Sequence, residues 1–454
     1  MIAVVFLGLF GLGLGIAGFI YVAAKPEWAA YIFLATMPFV GGIDRGAIIP
    51  LLRPSEAIQV GLTAAVMAGG LWRFFHGEPI HVRITRLDRT LIVLAALSSI
   101  WPLFWLFARN RLPTGNDFFE TLILWRLAAL YALYRCTVRT PEQLRKCMWI
   151  LLWSAGLLAA LAILDSLGIY KPGGIWVSSL ATDSTGRGGA TLNSPIAVGD
   201  YLAYSLAVAL VWILRRRASI TWLSGIAGVL VLGSLGTGQF SAWIGALVAV
   251  VVVAHYEGKL ARAPLYLGPL GLIVAVVAWP VISTRLQGFQ GGKSLPASWV
   301  GRIDNITNIY LPMMGHYRWV LGLRPYSTLD APETWRAFIW LESGYLKFFF
   351  VGGIPLFLGF VWFTRAVLRQ TNQVARSRTD DIGVAALAAR AAMWCIVILS
   401  LIDIHLTLRG GGDLFFVLLG LSANQLVRPP EPSRELVRQW PELSEQRRYP
   451  ARVS

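Results

Sequence analysis

Apolar residues fill long windows from one end of this chain to the other, and polar residues collect in the short intervals between them. Windows near 18–20 residues suit helices that cross a bilayer. The pattern predicts spans at 2–23, 28–43, 56–75, 89–108, 117–137, 146–168, 195–214, 220–237, 239–256, 264–283, 336–364, 390–408 and 412–427. Only Lys25, Pro26 and Glu27 separate the first two, so twelve spans is an alternative to thirteen. The ten-residue alternation of an outer-membrane barrel is absent. The expected fold is therefore all-α: a polytopic integral membrane protein of about 12–13 helices.

The polar intervals orient the stack. Arg83, Arg86 and Arg89; Arg139, Arg145 and Lys146; Arg215, Arg216 and Arg217; Lys259 and Arg262; and Arg365, Arg369, Arg376 and Arg378 fall on one side in the thirteen-span count. Loops rich in lysine and arginine stay cytoplasmic. The alternate loops 44–55, 109–116, 169–194, 284–335 and Gly410–Gly412 then face the periplasm or cell exterior of a bacterium. The organisation expected is an N-terminal bundle over 1–283, a large outward loop over 284–335, C-terminal helices over 336–427 and a tail over 428–454. The tail is rich in proline, glutamate and arginine with no apolar face, and is expected to be cytoplasmic and disordered. The N-terminus lacks a basic n-region and a small-residue cleavage site, so a cleaved signal peptide is not expected, and the absence of basic residues before Lys25 fits an outside N-terminus. A multi-pass protein of the bacterial inner membrane is expected.

Composition agrees with this picture. The chain is 56% hydrophobic and 14% charged, with mean hydropathy +0.61; a soluble domain carries about 25% charged residues. The net charge of +16 would suit nucleic acid, but most of it lies in short loops between spans, so no nucleic-acid partner is expected. Cys136, Cys147 and Cys395 make no metal or disulfide spacing, and five scattered histidines make no HxxxH or HExxH pair. No phosphate loop occurs, so no built-in ATPase is expected; the scattered histidines make a metal unexpected, and no cofactor is expected.

Candidate chemistry concentrates in the stretch from Arg285 to Tyr345. Arg285, Lys293, Arg302, Arg318, Arg324 and Arg336 stand there against Asp304, Asp330, Glu333 and Glu342. His316 and the aromatics Trp299, Tyr310, Tyr317, Trp319, Tyr326 and Trp335 lie among them, which predicts an ordered element on the membrane. Arginine in an outward loop suits an anionic ligand such as a lipid-linked pyrophosphate, because its planar fork grips phosphate; lipid headgroup contact or local ion pairing is the alternative. Ionisable residues inside spans are functional candidates. They are Asp200, Arg126, Asp403, His405 and Glu342, the last expected two turns inside its helix. Glu342 leads for proton transfer, with His316 second. Arg126 suits a buried pair with a carboxylate as well as a ligand, and His405 suits packing at a helix end.

Taken in order, these pieces resemble the O-antigen ligase and O-antigen polymerase (Wzy-like) superfamily over residues 50–425. The features are Pro54-Ser55-Glu56 opening an early span; GRGGATLNSP with Arg187, Gly189, Asn193 and Pro195; LGTGQFSAWIGALVAV; the large loop with Arg302 and VLGLRPYS; and ESGYLKFFFVGGIPLFL. Phe240 stands where the family has arginine, and Glu342 or its neighbour where ligases have a histidine base. The resemblance implies metal-independent transfer of a glycan from undecaprenyl pyrophosphate to an acceptor glycan on the outer face. Polymerisation of repeat units is the leading form, with ligase-type transfer as the alternative and a chain-length regulator as a partner. On that reading Arg302, Arg318, Arg324 and Arg187 hold pyrophosphate, Glu342 or His316 is the base, and Tyr326, Tyr345, Asn193 and Asp200 meet glycan. A transporter of a lipid-linked or anionic substrate is the rival, and a scaffolding subunit the third reading.

Overall fold

A computed structural model describes residues 13, 15–78, 84–176, 187–262, 276, 279, 283, 297–331 and 337–424. Most of the expected span 264–283, the start of the first span and the tail 428–454 lie outside the described residues.

Polar side chains set where the helices begin. Thr85, Thr114 and Thr140 each accept a hydrogen bond from the backbone N–H three residues on, at Asp88, Asp117 and Gln143, whose own side chains cap in return. Helices α1 (Gly15–Ala24), α2 (Glu27–Val40), α3 (Pro54–Phe75), α4 (Arg86–Ala108), α5 (Gly115–Thr137), α6 (Pro141–Ser166), α7 (Pro195–Leu214), α8 (Ile220–Gly236) and α9 (Phe240–Tyr256) follow one another. Next comes α10 (Ala297–Asn305), running through a π turn at Ile306–Tyr310, and then the short α11 (Arg318–Leu321). Strands β1 (Leu329–Ala331) and β2 (Ala337–Ile339) pair antiparallel, with Leu329 opposite Ile339. The chain finishes with α12 (Gly344–Ser377), α13 (Asp381–Leu399) and α14 (Gly411–Ser422). Helices α3, α4, α6, α7, α12 and α13 are long and apolar enough to cross a membrane; α1, α2, α8, α9 and α14 are shorter apolar helices. This is an all-α membrane protein.

Helix α7 is the axis of the bundle. It is buried along most of its length and packs against α6, α8, α9, α13 and α14. Small residues allow these approaches, as expected where lipid gives helices no hydrophobic reason to associate. A β-carbon on Gly199 would lie 2.3 Å from that of Ala242, and one on Gly420 would lie 2.6 Å from the Tyr131 carbonyl oxygen. One end of the bundle gathers the basic loops. There Arg135 pairs with Asp88, Arg215 with Glu257 at 2.8 Å, and Asn424 donates to the Val138 carbonyl at 2.7 Å.

Three expectations about helix boundaries are corrected. The span expected at 336–364 begins at Gly344, because residues 337–339 are tied into the β-hairpin and Ser343 caps the helix. Glu342 therefore precedes the helix instead of lying two turns inside it. Helix α12 is also broken at Gly353, whose φ of 63° and ψ of −155° leave the helical region. Phe348 stacks on Phe360 at 4.4 Å and Phe349 on Phe357 at 4.6 Å. Residues twelve apart in one straight helix would be separated by about 18 Å, so 344–352 folds back on the longer half as a helical hairpin. Thirdly, the span expected at 390–408 is the helix Asp381–Leu399. Arg390 lies at its middle, and residues 400–410 form an irregular connection in which His405 and Leu406 are buried. Non-helical backbone inside a membrane protein persists where protein covers it.

Candidate functional site

The 400–410 connection and the first residues of α14, together 400–413, bring two charged clusters to the end of the bundle opposite the basic loops. The segment is locked by backbone bonds: the Gly344 N–H donates to the carbonyls of Ser400 at 2.9 Å and Asp403 at 3.1 Å. Its glycines are required by close approach. A β-carbon on Gly411 would lie 2.4 Å from that of Asp200, and one on Gly412 would lie 2.6 Å from the Leu406 carbonyl oxygen.

The first cluster is carboxylate-rich. Arg302 Nε meets Glu342 Oε2 at 2.9 Å, Nη2 lies 3.8 Å from Asp403 Oδ2, and Nη1 donates to the Ile402 carbonyl at 3.1 Å. Two residues beyond Asp403, His405 Nδ1 lies 2.7 Å from Asp200 Oδ2, both side chains sealed from solvent. The opposite ring nitrogen, Nε2, is buried with no protein partner among the described residues. Burial alone would pull the His405 imidazole down. The Asp200 carboxylate more than offsets this, Asp403 adds to it and Arg302 opposes it, so the ring is held above its ordinary value. Beside the pair lies a cavity of about 50 Å³ lined by His405, Gly344, Ser400, Glu120 and Lys347, the last two paired at 3.1 Å.

The second cluster is arginine-rich. Arg409 donates to the Gly41 carbonyl at 3.2 Å, and burial together with Arg53 pulls its pKa down to about 10, which leaves it charged at neutral pH. Arg45 pairs with Glu56 at 2.9 Å and its guanidinium stands 3.7 Å over the Phe119 ring. Arg126 pairs with Asp413 at 2.7 Å and bonds Gln59 at 3.1 Å, the buried pair that its position in α5 suggested. Arg53, whose Nε is buried with no partner among the described residues, feels Glu56 first and then Arg45, Asp44 and Arg126, its backbone N–H donating to Glu56 at 3.1 Å; Arg409 in turn feels Arg53. Four guanidinium groups thus face three carboxylates: Asp44, Glu56 and Asp413.

The motif 187–195 abuts this second cluster. Asp165 accepts from the N–H groups of Gly189 and Ala190, Thr191 donates to the Pro38 carbonyl at 2.8 Å, and Leu192 touches the position a Gly410 β-carbon would take. Asn193 works through its backbone: it is left-handed, at φ 53°, and closes a turn before Ser194 caps α7. Arg187 begins this segment and is half-buried.

The residues singled out in sequence are divided by the fold. Arg302 and Glu342 meet. Arg324 instead grips Asp117 at 3.0 Å, an aspartate that also accepts the Tyr326 N–H. Arg318 donates to the Met313 carbonyl, and His316 is exposed on a turn with φ 61°. Tyr345 turns away from Glu342, its hydroxyl donating to the Val397 carbonyl at 2.5 Å. Asp200 lies in the sealed pair with His405. The described part of the large loop, 297–331, packs against α12, with Tyr310 on Phe350 and Trp319 on Phe349; the rest of the loop, with Trp335, lies outside the described residues. Sequence reasoning missed the second cluster. Its signal was present as Arg45, Arg53 and Arg409 in two short loops otherwise read as outward, where arginine is disfavoured.

Among the described residues, no group of three or more histidine, cysteine or carboxylate side chains is placed to hold a metal ion. No protein-family model matches this chain, and no curated protein matches it.

Proposed function

We propose that this protein polymerises surface or exopolysaccharide repeat units, transferring a glycan from undecaprenyl pyrophosphate to an acceptor glycan without a metal. The observation that carries this reading is the 400–413 segment itself, which places a carboxylate cluster and an arginine cluster at the same end of the bundle. On this reading that end faces the periplasm, the chain crosses the inner membrane twelve or thirteen times and the tail is cytoplasmic.

Glu342, released from Arg302 as the acceptor enters, takes the proton of the acceptor hydroxyl. The acceptor oxygen bonds to the anomeric carbon as the bond from that carbon to the pyrophosphate oxygen breaks. Arg53 and Arg409, whose guanidinium groups form no ion pair with a carboxylate among the described residues, stabilise the departing pyrophosphate, with Arg45 and Arg126 adding positive field. Arg302 positions Glu342 and joins the acceptor side; Arg187, Arg318 and Arg324 flank the site. Pyrophosphate is already a good leaving group, so ATP is not needed. A chain-length regulator is the expected protein partner.

The test is the glycan profile of a deletion strain complemented at matched expression with wild type, Glu342→Gln, Arg302→Ala or Arg409→Gln. Polymerisation predicts single repeat units in the deletion and no recovery of length with the variants. Full-length chains held on the lipid carrier would instead assign ligase-type transfer. The break in α12 at Gly353 favours a second reading, transport, because discontinuous helices line many transporter sites. Unchanged glycans with altered movement of a solute would establish it.

A further inference from the structure

On the flank of the bundle, α12 and α13 leave a groove of about 670 Å³. Its two halves differ in chemistry. Tyr345, Phe357 and Phe360 line one half, and Arg365, Arg369 and Arg390 line the other. Phe357 and Arg369 are twelve residues apart on the same helix, so the groove extends over about 18 Å. Its basic half lies toward the basic-loop end of the bundle, where Tyr256 donates to the Asn372 carbonyl.

Topology accounts for arginine near a helix end but not for Arg390. That residue is nine positions into α13, about 13–14 Å from its start. An arginine at such depth is costly and calls for partners. Its Nη1 donates to the Leu368 carbonyl at 2.7 Å. The carboxylates at that end are engaged elsewhere: Glu257 with Arg215, Asp380 with Arg378, and Asp381 with the Trp212 indole. Among the described residues no carboxylate forms an ion pair with Arg365, Arg369 or Arg390. Arg365 and Arg369 are four apart and share one helix face. The groove therefore offers three converging cations at one end and an aromatic channel at the other.

We propose that this groove is a binding site for an anionic membrane lipid. Its phosphate sits among Arg365, Arg369 and Arg390, and its hydrocarbon chain runs along Phe357, Phe360 and Val361. Charge complementarity selects the headgroup, since basic pockets between helices recognise anionic lipid heads. The exposed Val361 opens the apolar half to surrounding lipid. This site is separate from the two clusters on the 400–413 segment and does not depend on glycan transfer.

The experiment is lipid retention by the purified full-length protein in native mass spectrometry, with phosphatidylglycerol and phosphatidylcholine as probes. Wild type is expected to retain phosphatidylglycerol about 100-fold better, the three arginines contributing about fivefold each. The triple variant Arg365→Gln, Arg369→Gln, Arg390→Gln should lose that preference. Val361→Trp should reduce retention of both lipids by narrowing the channel while leaving the charges, and it decides the matter alone if the triple variant does not fold. Equal retention of both lipids by wild type, or undiminished retention by a folded variant, would overturn the proposal. So would displacement of phosphatidylglycerol by inorganic phosphate, which would make this a site for a free anion.

Discussion

Arg302 and Arg324 belong to the same loop and have the same chemistry, yet the fold uses them oppositely. Arg324 closes on Asp117, whose side chain is 2% exposed and which also receives the Tyr326 N–H and the Thr114 hydroxyl. Each acceptor site of that carboxylate is engaged within the protein. Arg302 meets two carboxylates, Glu342 and Asp403, which remain 16% and 15% exposed. A carboxylate sealed from solvent with all its acceptor sites engaged fastens a loop to a helix. An arginine shared between two carboxylates that both keep some exposure can exchange a protein contact for a substrate contact. An arginine's function here depends on how completely its partners are satisfied, not on its loop.

On the proposed function, the largest effect is expected on glycan transfer at the Arg302–Glu342 pair. Glu342→Gln should lower glycan transfer by about 10²–10⁴-fold, the range of a lost general base. Unfolding in detergent should shift by no more than about 1 kcal/mol, as for other partly exposed pairs. A large loss of stability there would erase the distinction from Arg324.

Asp117→Ala should behave in the reverse way. Removing the carboxylate leaves Arg324 uncompensated and costs about 3–5 kcal/mol of stability. Molecules that remain folded, assayed at reduced temperature, should keep their turnover. A folded variant with wild-type stability and no activity would move Arg324 into the reacting site.

Arg53→Gln or Arg409→Gln should weaken donor binding by about 10- to 100-fold, the value of one charged hydrogen bond at about 1.5–3 kcal/mol. The change should appear in the donor's KM, with the acceptor's unchanged. An effect confined to the acceptor would place the pyrophosphate elsewhere.

The smallest effect is a pH dependence at the His405–Asp200 pair. His405 is held above its ordinary value in the folded protein, so it binds a proton more tightly there than in the unfolded chain. The stability this contributes is complete below about pH 6.5, the unperturbed histidine value, and is lost as pH rises through the folded value. Melting temperature should therefore decline above pH 6.5 in wild type and decline less in His405→Gln. Equal slopes would mean that the pair does not gain a proton on folding.

Much of the fold was legible because lipid imposes a simple rule: backbone polar groups must be satisfied within the segment, so apolar windows become helices. The stretch 195–214 emerged with its predicted ends, since Ser194 and Pro195 mark the start and Arg215 the stop. Windows 220–237 and 239–256 emerged as separate helices because Gly238, at φ 59°, turns the chain between them. Arg126 announced a buried partner by its depth. Where hydrophobicity continued across a break, the reading failed. The FFFVGGIPLFL stretch is apolar throughout, and only the stacking of Phe348 on Phe360 reveals the hairpin at Gly353. Arg390 looked like the edge of a span because a charge is expected at an interface; the Leu368 carbonyl, supplied by another helix, lets it lie inside.

Local hydrophobicity, capping and charge are written along the chain, and they suffice for the class of this protein, the ends of many of its helices and the presence of a polar apparatus in its late loops. Which charges meet is settled by packing. Asp200 and His405 are 205 positions apart, and Arg126 finds Asp413 across nearly three hundred residues. Such pairings follow from which glycine faces let helices approach and where an irregular segment is buried. Those are properties of the packed bundle, not of any window along the chain.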